Sequence, residues 1–549
     1  MNKVTYILIG LAGLFITSCY EDKGDYDYSN AYPEVLFSLN KSYGVKKEKQ
    51  PFNYTITPDI QVPEEYKKNL TYEWYGNTSS PNTKGDLVGN TESFTFNLDP
   101  EDPKLAYVHY LRLYVTDNLT GAVTMQPTTF EIIKPYTSSW MVLHETDGHA
   151  EIGAIEYVGG EMSVTPNAYT LDKGESLTGK PLQLGCRQFS TYESSWKYAA
   201  QSQFYLTTTN IEEAGLLNPG NNFEMRGKWT DILHPNQREE FFEPGKAPIG
   251  GGDPGALMVS KGRVFFNSSS SPVFYLKTSD ESTLGEYYIS KFAAGPHAGV
   301  GFDEIGHRFL ALSMQNAQDS WSGKLAYEPE PKNAGPIEKL PTNENNAFNP
   351  NSIDSGENIV AMVSGYHYGK SGIAPWQRYN IYAYTIKGGN SYVYVFQGRG
   401  FTSPGDPSSV ARNEFITPEG INENTPMTSG NSFNNILFYA VGNKVYRLDV
   451  VTGKNTLLYQ HEEPAAQITT LKMACEGYSF GDDTDEVGTE EYGVPYNRCL
   501  GVAINMPDGT GEVVVLQLGT NGGILEDGAK YPSTQIHRGF GPITDIAFI

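Results

Sequence analysis

Short apolar runs that alternate with polar residues recur along most of the chain, between clusters of Pro, Gly, Asn and Asp. In one such run Leu111, Leu113 and Val115 alternate with polar neighbours, which gives a strand one buried and one solvated face. Similar runs at 34–39, 52–57, 70–75, 93–98, 107–116 and Val123–Ile133 predict the strands of a small sandwich. Pro135 then marks a boundary, because proline interrupts strand pairing.

The same pattern continues beyond residue 139 as repeated hairpins. Strand-like runs at 436–440, 444–449 and 456–459 are separated by the turns Gly442-Asn443 and 452–454. Seven such units are predicted, starting near Trp140, Leu182, Ala256, Gly299, Asn358, Asn435 and Ile468. The last run, 543–549, has no hairpin partner, so it is expected to complete the first unit of a closed seven-bladed β-propeller. Two stacked sandwiches are the alternative. The best helix candidate is 210–217.

The N-terminal segment resembles an export signal. Lys3 precedes an uncharged apolar run, 4–17, that is shorter than the ~20 residues needed to span a bilayer and ends just before Cys19. Ile16-Thr17-Ser18 resembles a lipobox, which predicts that Cys19 carries a lipid anchor. An ordinary secreted protein with a cysteine near its cleavage site is the alternative. The predicted divisions are a signal peptide (1–18), a lipid-anchored flexible linker (19–31), an immunoglobulin-like domain (32–135) and a propeller domain (136–549).

The amino-acid composition is typical of an all-β protein, and the net charge excludes two kinds of partner. The chain has 549 residues, of which 13% are aromatic, and it contains 37 Tyr and 57 Gly, as expected of many short strands and tight turns. Removing the signal peptide leaves 39 basic and 64 acidic residues, a formal charge of −25. Such a surface repels nucleic acid and anionic lipid headgroups, so neither is expected as a partner.

Residues 72–117 resemble a PKD-type immunoglobulin-like module. Tyr72-x-Trp74 corresponds to its early aromatic strand, and 110–117 (Tyr-Leu-Arg-Leu-Tyr-Val-Thr-Asp) to its penultimate strand. Gly76-Asn77-Thr78 stands where the module has a Gly-Asp-Gly turn. With the acidic residues after Cys19, the chain resembles the PKD-like surface lipoproteins encoded beside SusC/SusD-type importers. The resemblance implies an outer-membrane location facing the cell exterior and a SusC/SusD-type importer as partner.

Three cysteines remain besides Cys19. Cys475 and Cys499 flank an acidic loop, 481–493, and each ends a strand-like run. If those strands pair, the two thiols could form a disulfide, which an exported protein permits. Cys186 is then left as a buried thiol.

Motifs for catalysis are largely absent from the sequence. His144 and His149 are five residues apart across an Asp-Gly turn, whereas a zincin needs histidines four apart on a helix. Asp483 and Asp485 begin like a calcium loop, but Val487 and Val494 occupy positions that need oxygen ligands. We therefore expect no catalytic residue, no cofactor and no metal, with Asp483 and Asp485 as a weak calcium candidate. Carboxylate pairs of a glycosidase cannot be recognised from spacing alone.

Recognition is the function that remains. Long polar segments carry aromatic and cationic side chains suited to stacking on sugars or anchoring a peptide or protein. The candidate ligand-binding residues are Trp196, Trp229, Trp321, Tyr366, His367, Trp376 and Arg378. The sequence thus predicts a non-enzymatic accessory lipoprotein that binds a glycan or peptide nutrient or scaffolds an import complex. A surface polysaccharide hydrolase or lyase with its active site in the propeller is the alternative.

Overall fold

A computed structural model of the chain describes residues 32–46, 50–99, 108–133, 135–136, 139–158, 161–192, 198–233, 242–243, 249–252, 255–268, 273–279, 284–294, 298–313, 336–367, 379–397, 408–430, 432–474, 498–526 and 531–549. The chain divides into two compact units. Unit 1 extends to Ile132, apart from residues 45–47, and unit 2 extends from Ile133 to Ile549. The predicted signal peptide, linker and Cys19 lie outside the described residues.

Unit 1 is built from nine described strands, in accord with the predicted all-β class. They are β1 (Leu36–Ser38), β2 (Ser42–Lys46), β3 (Phe52–Ile56), β4 (Asp59–Gln61), β5 (Leu70–Asn77), β6 (Asp86–Gly89), β7 (Phe94–Leu98), β8 (His109–Asp117) and β9 (Val123–Ile133). One sheet has the order β2-β9-β8-β5-β6, and the pairs β1-β4 and β3-β7 form two smaller ones. Each of the six predicted runs overlaps one of these strands.

Trp74 is the central core residue of unit 1. Its indole in β5 is fully buried, while Glu73 and Tyr75 on either side are partly exposed because successive side chains of a strand point to opposite faces. The Trp74 indole N–H donates to the Thr91 carbonyl at 3.0 Å, and its ring lies 5.7 Å from that of Phe94. Burial of a ring of this size, with its polar atom bonded, supplies much of the stability of a small sandwich.

Unit 2 contains seven described sheets, numbered 1 to 7 in chain order. Sheet 1 consists of β10 (Ser139–Thr146), β11 (His149–Val158), β12 (Glu161–Thr165) and the C-terminal β38 (Ile543–Phe548). Sheet 2 consists of β13 (Pro181–Tyr192), β14 (Tyr198–Thr208), β15 (Gly215–Asn218) and β16 (Glu224–Lys228). Sheet 3 consists of β17 (Ile249–Gly252), β18 (Gly255–Ser260), β19 (Arg263–Ser268) and β20 (Tyr275–Leu276).

The remaining sheets repeat this arrangement. Sheet 4 contains β21 (Thr278–Ser279), β22 (Ile289–Ala294), β23 (Ala298–Asp303), β24 (Arg308–Ser313) and β25 (Pro336–Lys339). Sheet 5 contains β26 (Asn358–His367), β27 (Tyr379–Lys387), β28 (Asn390–Gln397) and β29 (Ser409–Ile416). Sheet 6 contains β30 (Met427–Thr428), β31 (Ile436–Val441), β32 (Lys444–Asp449) and β33 (Asn455–Gln460), and sheet 7 contains β34 (Gln467–Met473), β35 (Cys499–Asn505), β36 (Gly511–Gln517) and β37 (Thr534–Phe540).

One edge strand of each sheet contacts its counterparts in two other sheets. These leading strands are β38, β13, β17, β22, β26, β30 and β34 for sheets 1 to 7. Each contacts the leading strand of the next sheet, and β38 contacts both β13 of sheet 2 and β34 of sheet 7. The C-terminal strand therefore pairs with β10, more than 390 residues earlier in the chain, as the unpartnered run at 543–549 predicted.

Small residues let neighbouring sheets approach each other closely. Gly501 in β35 faces Trp140 in β10, and a Cβ atom at this glycine would lie 2.5 Å from Cη2 of the tryptophan. Trp140 is fully buried between sheets 1 and 7 with Phe548, whose ring is 5.3 Å away. The close approach leaves no room for a side chain at position 501.

We expect Gly501→Val to destabilise unit 2 by roughly 1–3 kcal/mol or more, because the added side chain overlaps a buried indole ring in a well-packed interface. Chemical denaturation followed by tryptophan fluorescence measures the change. Thr470→Val is the control, since it introduces the same residue into sheet 7 at a half-buried position. Equal stabilities of the two variants would contradict the packing described.

The helix predicted at 210–217 is wrong. Glu213 forms a turn with Asn210, and Gly215–Asn218 is the strand β15, whose Leu216 and Leu217 are buried between β14 and β16. The described α-helices are the short Ala168–Lys173 and Trp229–Ile232, and 3₁₀ turns occur at Glu64–Asn69 and Pro219–Asn221. None of the helices found among the described residues is long and apolar enough to cross a bilayer.

Candidate functional site

The two ends of each sheet in unit 2 differ in the connections they carry. We count the strands of each sheet from its leading strand. In an antiparallel sheet the connection between the first and second strands lies at the same end as the connection between the third and fourth, and the connection between the second and third lies at the opposite end. We call the former the connection end and the latter the hairpin end. The connections between second and third strands at the hairpin end are short: 147–148, 209–214, 261–262, 304–307, 388–389, 442–443 and 506–510. The links from one sheet to the next also begin at this end, and three of them, 166–180, 229–248 and 340–357, are long. Connections at the connection end include 314–335, 368–378, 398–408, 474–498 and 518–533.

Carboxylates at the hairpin end bond to the neighbouring strands and turns. Glu151, Asp303, Glu357 and Glu512 are buried there, and Glu213 is half-buried in the turn between β14 and β15. Glu213 accepts hydrogen bonds from the N–H groups of Thr178 and Gly179 at 2.8 and 2.7 Å, and Asp303 pairs with Arg308 at 2.8 Å. Such carboxylates are satisfied by backbone and side-chain donors, so they stabilise turns.

Glu357 and Glu512 bond to side chains rather than to backbone groups. Glu357 accepts from the Tyr394 hydroxyl at 2.8 Å and the Thr385 hydroxyl at 2.6 Å. Glu512 lies 3.2 Å from Nε2 of His461 and 2.7 Å from Nε of Arg538. The Glu463 N–H donates to Nδ1 of His461, which leaves Nε2 to donate to Glu512.

Three adjacent leading strands are linked by a charged pair. Nζ of Lys472 in β34 lies 2.9 Å from Oδ1 of Asp545 in β38, and it also donates to the Leu184 carbonyl in β13 at 3.2 Å. Oδ2 of Asp545 accepts from the Leu184 N–H at 2.9 Å. A single carboxylate thus joins sheets 7, 1 and 2, and removal of one partner would leave the other charge poorly compensated.

A second polar cluster lies at the connection end, between sheets 1 and 7. The Tyr157 hydroxyl donates to Oε1 of Gln535 at 2.5 Å and is 3.4 Å from Nε2 of His537. Cys499 is fully buried in the same cluster, and the rings of Tyr157 and Tyr531 are 5.2 Å apart in a T-shaped arrangement. Burial lowers the pKa of His537 to about 4, and it raises that of Tyr157. Both groups are therefore neutral at pH 7.

The burial of His537 predicts a specific pH dependence. Its folded-state pKa of about 4 is below the unfolded value of about 6.5, so protonation favours the unfolded chain between these values. We expect unfolding free energy to fall by roughly 3 kcal/mol from this group as the pH drops from 6.5 to 4. His537→Gln should lack that component. Denaturant unfolding of both proteins at several pH values measures it, and parallel curves would contradict the prediction.

Trp229 is a core residue, so its prediction as a ligand-binding residue is wrong. The short helix Trp229–Ile232 places its indole between Tyr205 and Phe242, at 5.6 and 5.0 Å, with no exposed surface. Its N–H donates to the Leu206 carbonyl at 2.8 Å. A fully buried ring with its polar atom bonded cannot stack on a ligand at the surface.

The other predicted site residues lie outside the described residues or have only their backbone described. Trp196, Trp321, Trp376, Arg378, Asp483, Asp485 and Cys475 lie outside the described residues. Tyr366 and His367 end strand β26 at its connection end, and only their backbone is described. The disulfide between Cys475 and Cys499 stays a prediction. The described residues contain no cluster of three metal-ligating side chains.

The two internal clusters could not be found from the sequence. Asp545 and Lys472 are separated by more than seventy residues, as are Tyr157 and His537 by several hundred, and no local motif marks either pair. The sequence feature that pointed to them was the unpartnered run at 543–549. It predicts that residues near the end of the sequence contact residues near the start of unit 2.

Comparison with solved structures finds distant likenesses, including these three. A quinonprotein alcohol dehydrogenase-like protein from Bacteroides thetaiotaomicron is 12% identical, with a TM-score of 0.37 over 94% of this chain and 99% of that chain. AztD from Citrobacter koseri is 10% identical, with a TM-score of 0.31 over 87% and 97%. A regucalcin from Agrobacterium tumefaciens is 11% identical, with a TM-score of 0.28 over 62% and 85%. At these scores the likenesses bear on neither fold nor activity.

Sequence comparison finds a family model that matches part of the chain. No curated protein matches the chain. Residues 19–181 match the model of the PKD-like family. The match includes all nine strands of unit 1 and continues through β10, β11 and β12 of sheet 1, beyond the residues that carried the resemblance in the sequence. The segment 19–181 is therefore similar to the PKD-like family, and the rest of the chain lies outside this match.

Proposed function

We propose that the seven sheets of unit 2 form a closed seven-bladed β-propeller. The support is the cycle of contacts among the leading strands, each of which meets the leading strand of the next sheet. The pairing of β38 with β10 gives sheet 1 strands from both ends of unit 2, and Asp545 bonds to the sheets on either side. Closure of this kind leaves only the outer edges of the blades unpaired.

In such a ring the connection ends of all the sheets lie on one face. The long connections at 314–335, 368–378, 398–408, 474–498 and 518–533 then share that face, opposite the short, carboxylate-bonded hairpins. The segments that contain Trp321, Trp376 and Arg378 are among them. Scaffolds commonly carry their binding residues on long connections held by rigid strands.

We infer that the protein is a surface-exposed, outer-membrane accessory lipoprotein that binds a glycan or peptide nutrient, or scaffolds a SusC/SusD-type importer. The observation that carries the binding role concerns the connections within sheets: five of those at the connection end are long, whereas the hairpins between second and third strands at the other end are short. The location and the importer partner rest on the predicted anchor at Cys19 and on the resemblance of the N-terminal sequence. The buried carboxylates described in unit 2 are committed to structural bonds, which favours binding over hydrolysis.

Binding and catalysis are separated by one screen. The soluble chain 20–549 would be titrated against glycan and peptide panels, with parallel assays for released product. We expect saturable binding of one ligand class without product. Product release that is abolished by substitution of a carboxylate would instead establish the hydrolase or lyase, and co-purification with an importer without any ligand would establish the scaffold.

The anchor has its own test. Cys19→Ala should release the protein from the membrane fraction, because a lipidated cysteine is the predicted attachment. Ser18→Ala, which keeps the cysteine, serves as the control. Membrane association that persists in the Cys19→Ala protein would contradict lipid anchoring.

A further inference from the structure

The segment that joins sheet 6 to sheet 7 is held by hydrogen bonds to its own turn and to the adjacent hairpin. It runs from His461 to Ala466, between β33 and β34, and we call it the sheet 6–7 link. Nδ2 of Asn443 donates to the carbonyls of His461 and Glu463 at 2.9 and 3.2 Å. The His461 N–H donates to the Asn443 carbonyl at 2.9 Å, and the Ala466 N–H donates to the Glu463 carbonyl at 3.2 Å.

His461 is buried at the start of this link and is bonded through both ring nitrogens. The Glu463 N–H donates to Nδ1 at 3.1 Å, so Nδ1 carries no proton in this arrangement. The proton of the neutral ring is therefore on Nε2, which lies 3.2 Å from Oε2 of Glu512 in sheet 7. Oε1 of the same carboxylate accepts from Nε of Arg538 at 2.7 Å. The surrounding groups thus select one tautomer of the neutral imidazole.

A second proton on the His461 ring must enter at Nδ1. It would then face the Glu463 N–H, and two donors that face each other cannot form a hydrogen bond. The Glu463 carboxylate is turned to the Ala465 N–H, which donates to its Oε1 at 2.9 Å. The contact between Nε2 and Glu512 becomes a charge-assisted hydrogen bond, which is stronger. Protonation therefore breaks the bond to the link and keeps the bond to sheet 7.

The other titratable groups at this contact come from both sheets. They are Lys444, Tyr459, Glu462, Glu463, Glu512 and Arg538. Burial and the charge of Glu512 raise the pKa of Tyr459 to about 12, and the hydrogen bond to Glu512 raises the pKa of Arg538. Both groups therefore keep one charge state in neutral and mildly acidic solution. His537, next to Arg538 in β37, faces Tyr157 of sheet 1 instead.

We propose that His461 is an acid-sensitive switch, which holds the sheet 6–7 link in place while its ring is neutral and releases the link when the ring is protonated. The proton enters at Nδ1, the Glu463 N–H loses its acceptor, and the turn at 461–466 opens while Nε2 stays on Glu512. The change is local, because the strands of sheets 6 and 7 keep their pairing. It makes the hairpin end of unit 2 responsive to pH, independently of any ligand at the connection end.

The test is hydrogen–deuterium exchange of the soluble chain 20–549 from about pH 8 to about pH 5, the range in which histidine side chains titrate, with rates corrected for intrinsic amide exchange. We expect protection of the link to fall about three- to tenfold towards acidic pH, as loss of one hydrogen bond does. In His461→Asn this response should vanish, because an asparagine Oδ1 accepts from the N–H two residues later without titrating.

His149→Asn is the matched control and should keep the response of the unaltered chain. His149 is exposed, and its Nδ1 lies 2.9 Å from the Thr178 carbonyl, an acceptor to which a protonated ring still donates. Peptides from β35 report any general loosening of the fold, and melting temperatures over the same pH range identify global unfolding.

Any other pattern overturns the proposal. Equal pH responses in His461→Asn and the unaltered chain would assign the loss of protection to general acid destabilisation. Protection that stays constant as the pH falls would show that the bond to Nδ1 persists. Protection that rises would show that the stronger contact with Glu512 tightens the link.

Discussion

A chain that ends at Pro542 is expected to lose the cooperative folding of unit 2. It lacks β38, whose Ile543, Ile546, Ala547 and Phe548 are almost fully buried and whose Asp545 bonds to sheets 7 and 2. Loss of several buried side chains costs roughly 5–10 kcal/mol, comparable to the total stability of a typical domain. Differential scanning calorimetry and near-ultraviolet circular dichroism would measure the loss.

The matched control for this truncation is Asp545→Asn. It keeps the shape of the strand and removes only the charge that faces Lys472, so a smaller loss of roughly 1–3 kcal/mol is expected. A truncated chain that unfolds at the same temperature as the intact protein would show that the terminal strand does not close the sheet system.

The second large effect is expected in unit 1. Trp74→Ala removes a fully buried indole and its bond to Thr91, at a cost of roughly 3–5 kcal/mol. Because the two units have separate cores, calorimetry should show one transition at a lower temperature and the other unchanged. Glu73→Ala, on the opposite face of the same strand, is the control and should have little effect. A uniform shift of both transitions would contradict the division into two units.

Local patterns predicted the strands well where one face is buried and the other is wet. The burial of β8 alternates along its length, and its bounds, His109–Asp117, nearly coincide with the predicted run at 107–116. The residues of tight turns were equally informative. Asp147 and Gly148 both have positive φ, as a two-residue hairpin turn requires. His144 and His149 therefore lie on the two paired strands that this turn joins. These features depend on residues close in sequence.

Predictions failed where tertiary packing decides the outcome. The run at 210–217 contains an apolar segment long enough for a helical turn, but pairing of Leu216 and Leu217 with β14 and β16 makes it a strand. Trp229 has polar neighbours in the sequence, Lys228, Thr230 and Asp231, which suggested exposure. A helix of one turn buries the indole regardless of those neighbours, because only one face of it meets the core.

The two polar clusters between sheets could not be predicted from the sequence, for a different reason. Lys472, Asp545 and Leu184 belong to three different sheets, and only the order of the leading strands brings them together. The same holds for Tyr157 and His537. Predicting either group requires the strand order, which the unpartnered terminal run indicated, and the register, which no local pattern provides.

Hydrogen–deuterium exchange of the soluble chain with and without its saturating ligand tests the central claim most directly. The account predicts that protection on binding is confined to peptides from the connection end, such as 314–335, 368–378, 474–498 and 518–533. Hairpin-end peptides such as those around 388–389 and 442–443 should exchange at unchanged rates. Protection at the hairpin end, or in unit 1 alone, would contradict it.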